Sequence, residues 1–158
     1  MNIKKNLSRL TKIINLTGCI GFPLGCFLFC FSAFGNGGIS GTYVYQAFDA
    51  NGNLLVRGVV TLRLDQTVQV TGSWKLQTLD KNKSREHGPQ AGAGRIVGQS
   101  NGEKVFLNLN PDQYDNNIFL DGRKTTMVKI SGKWGYYGYA GKLNEGNFEM
   151  VRQQEAPK

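Results

Sequence analysis

His87 is the only histidine in the chain, so any histidine-dependent chemistry must be built on it. A zinc centre needs several His or Cys ligands, and a Ser-His-Asp triad needs its imidazole held by packed partners. His87 instead stands in the stretch DKNKSREHGPQAGAG, from Asp80 to Gly94. That stretch is polar and rich in glycine, which reads as a solvated connection. Lys81, Lys83 and Arg85 could receive an anion there, but Asp80 and Glu86 offset them. A second cluster, Asp112, Asp115, Asn116 and Asn117, offers hard oxygen ligands of the kind Ca²⁺ takes. It fits no EF-hand spacing, and Asp and Asn are ordinary turn residues. We expect no metal, no cofactor and no catalytic residue. The third cluster is WGYYGYAG, from Trp134 to Gly141. On a strand, Trp134 and Tyr136 face one way while Tyr137 and Tyr139 face the other. The inward ring and phenol could wall and orient a bound molecule. The outward phenols, flanked by Lys129, Lys133 and Lys142, could stack bases.

The elements that must position these residues are strands. The segment VQVTGSWKL begins at Val68, and VKISGKWGY begins sixty residues later at Val128. Both alternate apolar and polar residues with a period of two, the mark of a half-buried antiparallel strand. Val68, Val70, Gly72, Trp74 and Leu76 are expected on one face. Val128, Ile130, Gly132, Trp134 and Tyr136 are expected on the equivalent face. Further strands read over Thr42–Phe48, Leu55–Leu64, Gly94–Gln99, Lys104–Asn110, Asn117–Arg123 and Asn147–Arg152. Asn51-Gly52 and Asn101-Gly102 supply hairpin signals between them. About eight short strands with tight turns make an up-and-down meander, and closing it removes the exposed edges. The expected fold is therefore all-β: one antiparallel meander closed into a small barrel. In each Gly-x-Trp unit, Gly leaves a space beside its strand and the indole lies across it. A buried indole removes about 200 Å² from water, on the order of 5 kcal/mol gross as an upper bound. The sixty-residue repeat suggests two similar halves, starting near Thr42 and near Lys104.

Gly-x-Trp on a strand of a small antiparallel barrel resembles the calycin group, which includes lipocalins, fatty-acid-binding proteins and avidins. Ser131-Gly132-Lys133-Trp134 is similar to the opening strand of an avidin. Those families carry the motif on their first strand, whereas here it stands on the third and the seventh. What the resemblance implies is the fold, and no ligand-binding residue is carried across.

Charge and cysteine place the barrel in the cell. The formal net charge is +8, and half of it comes from Lys4, Lys5, Arg9 and Lys12. The remainder is a solubility-grade charge, not a nucleic-acid footprint. Cys19, Cys26 and Cys30 are the only cysteines and all lie in the apolar run Ile13–Phe34. Nothing beyond residue 30 can form a disulfide. A basic start followed by that run has the order of an export signal. Three fates are open for this leader, which would form a hydrophobic helix. It is cleaved before Asn36, retained as a membrane anchor, or lipidated at Cys19 within Leu16-Thr17-Gly18-Cys19. All three put residues 36–158, the barrel domain, outside the cytoplasm, and residues 1–35 are the signal or anchor.

The function expected from these residues is non-catalytic binding by an exported protein, periplasmic, surface-held or secreted. A small apolar or aromatic ligand would sit in the barrel or at its mouth. Trp74, Trp134 and Tyr136 would supply apolar walls, and Tyr43 or Tyr45 a polar handle. The alternative is an envelope protein-interaction module, an inhibitor or assembly factor, whose barrel is filled. Nucleic acid is not an expected partner, and the membrane is met only through the leader.

Overall fold

The computed structural model describes residues 38–79 and 87–154. The leader with its three cysteines, and Lys81, Lys83 and Arg85, lie outside the described residues. Eight strands follow one another: β1 (Gly41–Phe48), β2 (Leu54–Leu64), β3 (Gln69–Thr78), β4 (Gly92–Ser100), β5 (Lys104–Asn108), β6 (Asn117–Lys124), β7 (Lys129–Gly138) and β8 (Gly141–Arg152). Each pairs antiparallel with the next, and β8 returns to β1 with Met150 opposite Tyr45, closing the barrel. The expected all-β closed meander is the observed fold. Among the described residues, no helix is long and apolar enough to cross a membrane.

The alternation seen in the sequence sets which side chains enter the lumen. Tyr43, Tyr45 and Ala47 of β1, Val60 and Leu62 of β2, and Phe148 and Met150 of β8 are all buried. Val68 and Val128 depart from expectation. Both are exposed, at 46% and 43%, because β3 and β7 start one residue later and these valines complete the preceding turns. Val68 has a φ of 62° in the left-handed region, which a continuing strand does not allow.

The glycines of Gly-x-Trp also act differently from expectation. A Cβ on Gly72 would lie 2.0 Å from the Thr61 carbonyl oxygen, and one on Gly132 would lie 2.1 Å from that of Asp121. These glycines let the neighbouring backbone come close where the sheet coils, as a small barrel requires. The indoles instead lie over glycines of the next strand. Trp74 is opposite Gly94 and Trp134 opposite Gly146 in the ladder. A Cβ at either glycine would come within 2.8 Å of the ring it faces.

The lumen is packed solid. Twenty-one hydrophobic residues form one core at 5% exposure or less. Side chains this inaccessible leave no water-sized space beside them, so the described lumen is a core and not a container. One end is capped by Ile39, which is 1% exposed. Tyr43 donates its hydroxyl proton to the Ile39 carbonyl at 2.8 Å. Arg152 Nη2 donates to the Gly38 carbonyl at 2.6 Å and to the Tyr43 hydroxyl at 2.9 Å. The guanidinium also lies 5.4 Å from the centre of the Tyr43 ring. Carbonyl, phenol and ring face together compensate a partly buried cation.

Candidate functional site

The opposite end is where β1, β3, β5 and β7 finish, and three of the expected site residues meet the loops there. Tyr45 is fully buried and donates to Gln90 Oε1 at 2.6 Å. Gln90 Nε2 in turn donates to the His87 carbonyl at 2.9 Å. Residues 87–90, ahead of β4, thus lie over the mouth. Gly88 presses on the Tyr136 ring, where a Cβ would meet it at 2.7 Å. Tyr136 spends its hydroxyl on Asn116 Oδ1 of the β5–β6 connection, at 2.7 Å. Burial pushes the Tyr45 phenol well above the ordinary tyrosine range, because no charged group compensates an anion there.

His87 corrects the sequence reading. It is 2% exposed, not solvated. Its Nδ1 lies 2.7 Å from the Gly88 carbonyl oxygen, so Nδ1 carries a proton and donates it there. Nε2 is buried and has no hydrogen-bond partner. Closure of the loop drives this burial, and closure rests on contacts 45 residues apart in the chain.

The two indoles occupy related but unequal places. Trp134 is 1% exposed and donates Nε1–H to the Phe48 carbonyl at 2.9 Å. Trp74 donates Nε1–H to the Leu109 carbonyl at 2.5 Å and keeps 5% exposure. That remaining exposure opens onto a cleft of about 290 Å³. Its floor is Trp74 and Gly94. Its walls are Pro89 and Ala91 from before β4, Ala93 from β4 itself, and Leu109, Asn110 and Pro111 from the β5–β6 connection. Asn110 is 8% exposed, and its side-chain oxygen has no hydrogen-bond partner. Buried acceptors of this kind are rare in folded proteins. At the rim, Arg95 pairs with Asp112 at 3.0 Å, an exposed contact that screens readily.

Tyr43 lies elsewhere, at the end capped by Ile39, so the five expected residues do not converge on one cavity. The structure brings Tyr45 and Tyr136 together with the loops of the mouth, and puts Trp74 at the edge of that plug. Sequence reasoning missed Asn110 and Gln90, whose roles depend on loops meeting across the barrel. Three side chains of the acidic turn have partners within the protein. Asp112 faces Arg95, Asn116 accepts from Tyr136, and Asn117 bonds Asn108 and Gln113. Among the described residues no group of three or more His, Cys, Asp or Glu could hold a metal.

With this geometry in view, the chain can be set beside known proteins. No family profile matches it, and no curated protein sequence does. Solved β-barrels are among the structures it resembles. The rhizavidin–biotin complex superposes with a TM-score of 0.51 at 15% identity, covering 77% of this chain and 97% of that one. A de novo designed fluorescence-activating β-barrel gives a TM-score of 0.46 at 15% identity, covering 72% and 93%. The fold is calycin-like. At such identity the likeness concerns the barrel and says nothing of ligand, and the lumen here is filled by its own side chains.

A larger groove of about 650 Å³ lies at the other end, around Ser40, Thr42, Arg152 and Gln154. Its lining offers no aromatic ring for a ligand to pack on. The smaller cleft joins an indole, a run of small residues and an unpartnered acceptor, and is the stronger candidate.

Proposed function

We propose that the chain is a non-catalytic binding protein, exported through its leader, whose ligand seats at the barrel mouth against Trp74. The filled lumen directs the ligand outward, into the cleft between the β3–β4 and β5–β6 connections. The observation that carries this reading is the Asn110 oxygen, buried beside an indole edge without a donor. A small planar molecule with an N–H or O–H would pack on the indole, and a rotation of the Asn110 side chain would bring that oxygen to its donor. No paired acids or nucleophile stand at the cleft, so the reading is binding without turnover.

Ligand-observed NMR with a library of planar nitrogen heterocycles tests it. Ala93 is exposed on the cleft wall, and Ala93→Tyr fills the cleft without entering the core. Hits should weaken at least tenfold in Ala93→Tyr and hold their affinity in Val151→Tyr on the far wall. Equal binding to both variants would overturn the reading.

A second reading, a protein partner held on the outer wall, draws on one observation. Phe106, 48% exposed, stacks on Phe119 with ring centres 5.4 Å apart, and Phe119 meets Tyr137 edge-on at 5.4 Å. Such an outward aromatic row also serves the sheet itself as a cross-strand ladder, so it ranks second.

A further inference from the structure

Acidic residues are distributed unevenly around the barrel wall: β1–β4 contain none. Strands β2, β3 and β4 contain Arg57, Arg63, Lys75 and Arg95 and no acidic residue. All four cations are exposed on the outer face. Arg95 reaches Asp112 beyond the strands, whereas Arg57, Arg63 and Lys75 make no ion pair among the described residues. Strands β5–β8 instead mix seven cations with three acids, Asp121, Glu145 and Glu149. There Lys129 pairs with Glu149 at 2.8 Å and Lys142 with Glu145 at 2.8 Å.

Register turns these cations into a row. Arg57 stands opposite Gln77, Lys75 opposite Val59, and Ser73 opposite Arg95. Arg57, Lys75 and Arg95 are therefore diagonal neighbours across three strands, about 7–8 Å apart at each step. Arg63 stands lower on β2, opposite Thr71. Between them the same face presents Thr61, Ser73, Gln69, Gln77 and Gln99, which are hydroxyls and amides.

We propose that this β2–β4 face docks a linear polysaccharide bearing carboxylates, a polyuronate. Each chemical feature of the face selects that class. The spaced cations match a chain with regularly repeated charge, and guanidinium pairs with carboxylate through two parallel hydrogen bonds. The hydroxyls and amides match sugar hydroxyls. No aromatic residue stands on the outer face of these strands, so stacked bases have no platform, which argues against single-stranded nucleic acid. The exposed apolar side chains among these cations are Val59 and Ala93, too little to enter a lipid layer. The face meets the mouth cleft at Arg95, which stands on its rim, and the cations Arg57, Arg63 and Lys75 lie outside that cleft.

Fluorescence anisotropy with labelled polygalacturonate, at low and physiological salt, tests the proposal. Neutral dextran and a single-stranded oligonucleotide serve as comparison probes. The protein should bind polygalacturonate at low salt, weaken steeply as salt rises, and ignore dextran. The triple variant Arg57→Gln, Arg63→Gln, Lys75→Gln should lose at least tenfold in affinity. A control of equal charge change, Lys104→Gln, Arg123→Gln, Lys133→Gln, should lose less than threefold. All six residues point outward, and circular dichroism verifies that both variants fold. Equal losses in the two triples, absence of binding at low salt, or tighter binding of the oligonucleotide would each overturn it.

Discussion

Trp74 and Trp134 make the same hydrogen bond from equivalent strands. Trp74 on β3 donates to the carbonyl of Leu109, just past the end of β5, and Trp134 on β7 donates to that of Phe48, at the end of β1. In each case the indole reaches two strands onward around the barrel and ties down the end of that strand. Each ring lies over a glycine of the intervening strand, Gly94 or Gly146. The sixty-residue repeat in the sequence is thus a repeat of position, relating β3 to β7 and β5 to β1 by a half turn about the barrel.

The inner indole should dominate stability. Trp134→Ala removes a buried ring and leaves a cavity, at about 3–5 kcal/mol. Trp134→Phe keeps much of the volume but withdraws the donor from the Phe48 carbonyl, at about 1–3 kcal/mol. Chemical denaturation of both variants measures the difference. A Trp134→Phe variant as stable as the parent would mean that the hydrogen bond to Phe48 adds nothing.

Close approach, not turn conformation, makes two glycines indispensable. Gly72→Ala and Gly132→Ala place a methyl against a backbone carbonyl and should each cost about 3 kcal/mol. Gly52, with φ of 86° and nothing within 4 Å of an added Cβ, should cost only about 1 kcal/mol as Ala. Melting temperatures of the three variants rank them.

The plug should open from a single amide. Gln90→Ala breaks the Tyr45–Gln90–His87 chain and leaves the buried Tyr45 hydroxyl without its acceptor. Hydrogen exchange should accelerate at least tenfold in residues 87–91 while β7 and β8 keep their protection. Unchanged exchange there would mean that Gly88 and Tyr136 hold the loop alone.

Alkaline pH should unfold the barrel through Tyr45. Its folded pKa is raised by burial above the unfolded value of 10.0. The neutral phenol therefore contributes stability that is fully present below about pH 10 and is lost as pH rises further, at roughly 1.4 kcal/mol per pH unit for one group. Tyr45→Phe should flatten that limb between pH 10 and 12, read by denaturation midpoints.

Much of this was legible because strand alternation is local. Val70, Trp74, Leu76, Ile130 and Trp134 point inward as their period of two requires, and the Asn-Gly pairs at 51 and 101 mark hairpins as expected. Val68 and Val128 misled because a turn residue beside a strand continues its parity in the sequence but not its backbone. His87 misled because its polar neighbours describe a loop, while its burial depends on Gln90 reaching Tyr45 across the mouth. The choice between a hollow and a filled lumen is a sum over side chains from all eight strands, Tyr43, Tyr45, Phe148 and Met150 among them, and no single strand carries it. The glycines under the indoles follow only once register is known.

Chemical-shift mapping of the ¹⁵N-labelled domain with the tightest heterocycle from the library tests the site most directly. The account predicts shifts at the Trp74 indole, Ala93, Gly94 and Asn110, with Tyr45, Phe148 and Met150 unmoved. Shifts centred on Phe148 and Met150 would mean that the ligand enters the lumen, and would contradict it.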